Sequence, residues 1–165
     1  MIVLPTLLYE RSHFVQTGDY AETVAFCRAL AKGSPAARVI TYGTTPEGRP
    51  MVALLVSKAG ALTPQALARS PHPLIFVNNG IHAGEIEGKD ASLILMRGML
   101  LEGKHPDLFA GADWLVVPVY NVDGHERRSP FNRINQNGPV LMGWRSTAQN
   151  YNLNRDFMKA DAPET

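Results

Sequence analysis

Pro73-Leu-Ile-Phe-Val-Asn-Asn-Gly-Ile-His-Ala-Gly-Glu-Ile-Glu-Gly88 is the stretch on which the fold turns. Its first six residues, Pro73 to Asn78, form a short apolar run with β-branched and aromatic content, which reads as a buried strand. The small, polar residues that follow break the run. From Glu85 to Leu101 the apolar positions Ile86, Leu93, Leu95, Met96 and Leu100 read as a long helix. Trp114 to Tyr120 is a second apolar strand, closed by the turn signal Asn121-Val-Asp-Gly124. Strand, helix, strand in this order predicts an α/β sheet with a right-handed crossover. Both strands end in polar residues. In open α/β sheets the site lies beyond the carboxyl ends of the strands. Three polar segments should therefore meet on one rim: Asn78 to Glu85, Asn121 to His125, and the region reaching Arg155.

Upstream, Asp19 and Glu22 have capping-box spacing, and Tyr20, Val24, Cys27 and Ala31 fall on one helical stripe. Gly33-Ser34-Pro35 ends that helix. Ala37 to Tyr42 and Met51 to Val56 read as the two strands of a hairpin across a turn-rich connection, with a short helix near Gln65 to Ala68. Downstream of His125 the chain is rich in Asn, Arg, Gly and Pro and shows no periodicity until its end.

The 165 residues suit one domain, and 45% hydrophobic with 19% charged residues is a globular composition. A net charge of +1 points to no nucleic-acid partner and no membrane partner. The basic group His125, Arg127, Arg128 and Arg133 reads as a solvated loop. One cysteine, Cys27, excludes a disulfide within the chain and a cysteine-based zinc site, and its apolar neighbours make it a core residue. The apolar start, Met1 to Glu10, lacks a basic region and is interrupted by Pro5, so it does not read as a signal peptide. The apolar run from Ala91 to Leu101 is broken by Arg97 and does not read as a bilayer span. None of this assigns a compartment.

His82-Ala-Gly-Glu85 places an imidazole and a carboxylate three residues apart where a loop enters a helix, so both can reach one cation. Two His and one Glu form a catalytic zinc set, with the fourth position left for water. A first-turn Glu that complements the helix dipole is the competing explanation. Arg145 and the Asn154-Arg155 pair offer planar, bidentate donors for a carboxylate, and an Arg near a metal can stabilise an oxyanion. Surface Arg and loop-capping Asn are the alternative for these.

The ordered combination narrows the choice. His82-x-x-Glu85, Asn121-Val-Asp-Gly124, Trp144-Arg145 and Asn152-Leu-Asn154-Arg155 together resemble the metallocarboxypeptidase family of the carboxypeptidase A type. The resemblance runs from about residue 18 to the end, with Val122 where the family's turn has Pro. It implies a mixed, largely parallel sheet with helices on both faces. It also implies that residues 1–165 are the amino-terminal part of a single catalytic domain, truncated before its carboxy-terminal half. By resemblance, His82 and Glu85 are zinc ligands, Arg145 stabilises the oxyanion, and Asn154 and Arg155 hold the substrate's terminal carboxylate. Asn152 stands where the family often has an Asp that orients the ligand His, which implies weaker orientation. The third ligand and general base would lie downstream of this chain, with His125 a minor candidate for a substitute ligand. The implied activity is zinc-dependent hydrolysis of a peptide or amide bond beside a free carboxylate. An acyl-amino-acid substrate cleaved by an aspartoacylase or desuccinylase type of enzyme is the rival, and a non-catalytic carboxylate-binding module is the alternative outside enzymes.

Overall fold

The computed structural model of the protein describes residues 4–165, so Met1–Val3, on which part of the signal-peptide reading rests, lie outside the described residues. The elements run α1 (Leu8–Arg11), α2 (Tyr20–Gly33), β1 (Ala37–Thr44), β2 (Pro50–Val56), α3 (Pro64–Leu67), β3 (Leu74–Asn78), α4 (Glu87–Leu101), α5 (Pro106–Gly111), β4 (Asp113–Val117) and α6 (Val122–Glu126), with a 3-10 turn at Leu153–Arg155. The four strands form one mixed sheet in the order β1-β2-β4-β3. The hairpin β1–β2 is antiparallel with a register shift between Thr41 and Gly43, β2–β4 is antiparallel, and β3–β4 is the parallel pair. α4 connects that parallel pair, as the strand-helix-strand order requires.

Alternation along the strands divides the core. Leu54 and Val56 of β2 and Trp114 and Val116 of β4 face α2 and α4, meeting Phe26, Cys27, Leu30, Leu93 and Met96. Cys27 is fully buried there, and burial pushes its thiol up to about 12, so it behaves as a small apolar residue. On the opposite face Leu55 packs with Ala61 and Leu67, while Ala53 and Val117 pack with Leu153 and Ala162 from the end of the chain. Helical structure thus lies on both faces, but thinly on the second.

α2 starts where Asp19 accepts a hydrogen bond from the Glu22 amide at 2.7 Å. The Glu22 carboxylate does not complete a capping box; it accepts from the Leu8 amide and from Arg11 instead. Arg97, which interrupts the apolar run of α4, grips both oxygens of Glu10 at 2.7 and 2.8 Å and Glu102 at 2.7 Å. A buried polar network fixes the start of α4. The Lys89 ammonium donates to the Gly18 carbonyl at 2.9 Å, and Thr17 donates to Asp90 at 2.6 Å.

Three expectations need correction. α4 begins at Glu87, so Glu85 precedes the helix. β3 is an edge strand whose Leu74, Ile75 and Phe76 are exposed, not a buried one, because only β4 pairs with it among the described residues. Asn121 to Gly124 opens the short helix α6, with the Asn121 side chain accepting from the Gly124 amide at 3.0 Å, where a simple turn was expected.

Candidate functional site

The parallel pair carries its ladder past the strand ends. The Asn79 amide donates to the Val117 carbonyl at 3.0 Å, and Tyr120 and Asn121 return donors to Asn79 and Gly80 at 2.8 and 3.1 Å. Gly80 then turns with φ +66°, a conformation that suits a residue without Cβ. The next residues form a tight turn closed by the Glu85 amide on the His82 carbonyl at 2.8 Å. A cavity of about 320 Å³ opens at this carboxyl end of β3, lined by Asn78, Gly80, His82, Glu85, Gly88 and Asn154.

Within it, His82 Nδ1 stands 3.3 Å from both oxygens of the Glu85 carboxylate. The other ring nitrogen, Nε2, lies 3.3 Å from Asn152 Oδ1. An amide oxygen only accepts, so this orientation of Asn152 places a ring proton on Nε2, and Nδ1 is the nitrogen that faces Glu85. Asn152 is itself held by the Asn154 amide at 3.2 Å. The Glu85 carboxyl sits below its ordinary range: burial opposes the charge, and Arg133 and then His82 outweigh burial. Arg133 Nη2 donates to Glu85 Oε1 at 2.7 Å, and Arg145 Nη1 lies 3.8 Å from the same oxygen.

This donor set suits zinc. Two ligands about 2.0–2.1 Å from a tetrahedral zinc ion stand roughly 3.3–3.4 Å apart, which is the separation of His82 Nδ1 and Glu85. The described residues contain no group of three His, Cys, Asp or Glu side chains placed to share a cation. They supply two donors, not three.

Of the five residues singled out from the sequence, His82, Glu85 and Asn154 line the one cavity, and Arg145 reaches it through Glu85. Arg155 is exposed, with its guanidinium on the Asn154 carbonyl at 2.9 Å. The basic group is not a solvated loop. His125 is buried beside Glu126 at 2.8 Å, Arg128 donates to the Thr17 carbonyl, Arg127 pairs with Glu47 at 2.8 Å, and Arg133 enters the site. His125 therefore does not stand on the rim as a spare ligand. Asp123 is also buried, accepting from Thr45 at 2.8 Å and Arg49 at 2.6 Å, so it ties the hairpin turn to α6. Sequence reasoning missed Arg133 and Gln136, whose amide donates to the Gly84 carbonyl at 3.0 Å. Their only signal was a run of polar residues without periodicity.

Comparison with known proteins bears on the family and the fold. Residues 23–164 match the family described as zinc carboxypeptidase. Carboxypeptidase A from Helicoverpa armigera superposes with a TM-score of 0.60 at 23% identity, over 79% of this chain and 28% of that one. A metallo-carboxypeptidase from Burkholderia cenocepacia gives a TM-score of 0.62 at 24% identity, over 87% and 34%. One from Pseudomonas aeruginosa gives 0.61 at 18% identity, over 88% and 34%. The chain thus spans about a third of the length of these solved structures. No curated protein matches it.

Proposed function

This chain belongs to the zinc carboxypeptidase family, and on that premise we propose that it contributes His82 and Glu85 to a zinc site for hydrolysis of a peptide or amide bond beside a free carboxylate. The observation that carries the reading is His82 Nδ1 at 3.3 Å from both Glu85 oxygens, in a cavity at the carboxyl end of β3. When bound, zinc supplies Lewis-acid polarisation and a nucleophile at neutral pH. The protein's own residues prepare the rest. Asn152 sets the His82 tautomer through Nε2. Arg145, half-exposed and only loosely approached by Glu85, keeps its guanidinium available for the oxygen that gains charge as the carbonyl is attacked. Asn154 lines the cavity, and Arg155 beside it offers a fork to a substrate carboxylate. That fork would make the enzyme an exopeptidase.

Two donors fall short of the usual three at a catalytic zinc, so the isolated chain should bind zinc weakly and hydrolyse no peptide measurably. Calorimetric titration with zinc at neutral pH tests this. Weak binding that disappears in His82→Ala and Glu85→Gln is the expected result. Zinc binding indifferent to His82→Ala would remove the reading.

A further inference from the structure

Arg133 lies forty-eight positions from Glu85 yet makes its shortest contact, Nη2 to Oε1 at 2.7 Å. Its side chain is only 12% exposed. The segment that carries it is built to hold it there. Ser129 and Met142 pair across its base with two backbone hydrogen bonds of 3.0 Å. Asn132 closes the same base, donating to the Arg127 and Met142 carbonyls at 2.6 and 2.8 Å. Gln136 grips the Gly84 carbonyl at 3.0 Å. The contact is close enough that a Cβ on Gly84 would stand 2.7 Å from Arg133 Cγ and 2.8 Å from the Gly143 carbonyl oxygen.

The manner of the contact matters as much as its length. A fork-to-fork Arg–carboxylate pair occupies both oxygens. Here one nitrogen takes one oxygen, and Arg133 Nη1 is buried with no hydrogen-bond partner among the described residues. A guanidinium N–H buried without a partner is unfavourable, so the surrounding segment, not the ion pair alone, determines this pose. Arg133 and Arg145 both approach Oε1, neither contacts Oε2 among the described residues, and His82 Nδ1 lies 3.3 Å from both oxygens.

We propose that Arg133 is a positioning residue for the metal ligand Glu85: it fixes Oε1 and thereby presents Oε2, beside His82 Nδ1, to a divalent cation. This rests on the zinc reading of His82 and Glu85. Arg133 touches neither cation nor substrate in this role. It acts by holding a ligand's rotamer, which for groups of this kind changes metal affinity on the order of tenfold.

The test is a zinc titration of the whole chain, followed on the imidazole nitrogen resonances of His82 by NMR. Arg133→Met should weaken zinc binding about tenfold, and Arg133→Lys, which retains one charged donor, should recover part of the loss. Unchanged affinity in Arg133→Met overturns the proposal. Tighter binding overturns it too, because Arg133 would then be a counter-ion that the metal displaces. A measurement on the unaltered protein guards against a misfolded variant. The Arg133 guanidinium resonances should stay resolved at saturating zinc, and their collapse on metal addition would show release from Glu85. His82→Ala separates the two levels. If zinc binding survives His82→Ala, the zinc reading fails; if it is lost there but unaffected in Arg133→Met, only the role of Arg133 fails.

Discussion

At His82 the two ring nitrogens have separate partners, and the quality of the second partner should govern the first. Asn152 holds Nε2 at 3.3 Å through a neutral amide oxygen. A carboxylate in its place would accept the same proton with a full charge, raising the basicity of Nδ1 toward a cation. Asn152→Asp should therefore tighten zinc binding about tenfold, as read by competition with a chromophoric chelator. An equal or weaker affinity would mean that Asn152 does not act through His82. The proximity of His82 and Glu85 was legible in the sequence because only three positions separate them, so local backbone geometry alone can bring them together. Arg133 was not legible. Nothing in a basic, non-periodic loop says which of its arginines folds back on a carboxylate forty-eight positions earlier. The burial of Lys89 and Asp123 was not legible for the same reason, since burial of a charge depends on partners that only the tertiary fold assembles.

At the scale of elements, α6 shows what such burial does to pH dependence. His125 is 2% exposed, and its pKa is lowered mainly by burial; Lys89 and Arg128 push it the same way, while Glu126 pulls it up. The Glu126 carboxyl lies below its ordinary range, because His125 and the Tyr20 amide outweigh its own burial. A histidine with a lowered folded pKa binds its proton more readily in the unfolded chain. Its stability contribution is therefore present above the unfolded value of about 6.5 and is lost as pH falls from there toward the lowered folded value. Urea unfolding between pH 7.5 and 5 should show this loss, at up to about 1.4 kcal/mol per pH unit, and His125→Asn should flatten it. An unaltered slope in the variant would assign the loss to other groups. A second element-scale test concerns the two facing glycines of the site. A Cβ on Gly143 would collide with the Ala83 backbone, which has no flexible end to yield. Gly143→Ala should cost about 1–3 kcal/mol in denaturant unfolding, by the usual scale of overpacking. Helices with caps and stripes, and the hairpin, were readable because their signals are local. The exposure of β3 was not, because an apolar run looks the same whether one or two strands pair with it.

Across the whole molecule the two faces of the sheet are unequally covered. α2 and α4 close one face with a continuous core. The other is covered by α3 and the end of the chain, leaving a cavity of about 430 Å³ among Ile40, Tyr42, Phe76, Leu115, Tyr120 and Phe157. β3 borders this opening as an edge strand, with Phe76 56% and Leu74 46% exposed. An apolar edge with unpaired backbone groups is a template for further pairing, and β3 carries no charge to blunt it. A net charge of +1 adds little repulsion between copies. The 165-residue chain should therefore self-associate through β3 as its concentration rises. Burying one Phe is worth about 1.5–3 kcal/mol, so Phe76→Lys should weaken association by about tenfold or more. Sedimentation velocity over a hundredfold concentration range reads both effects. A single monomer boundary at all concentrations would show that the edge is already protected, and association unaffected by Phe76→Lys would place the contact elsewhere. The variant should leave the zinc titration of His82 unchanged, because Phe76 does not line the cavity that holds His82 and Glu85.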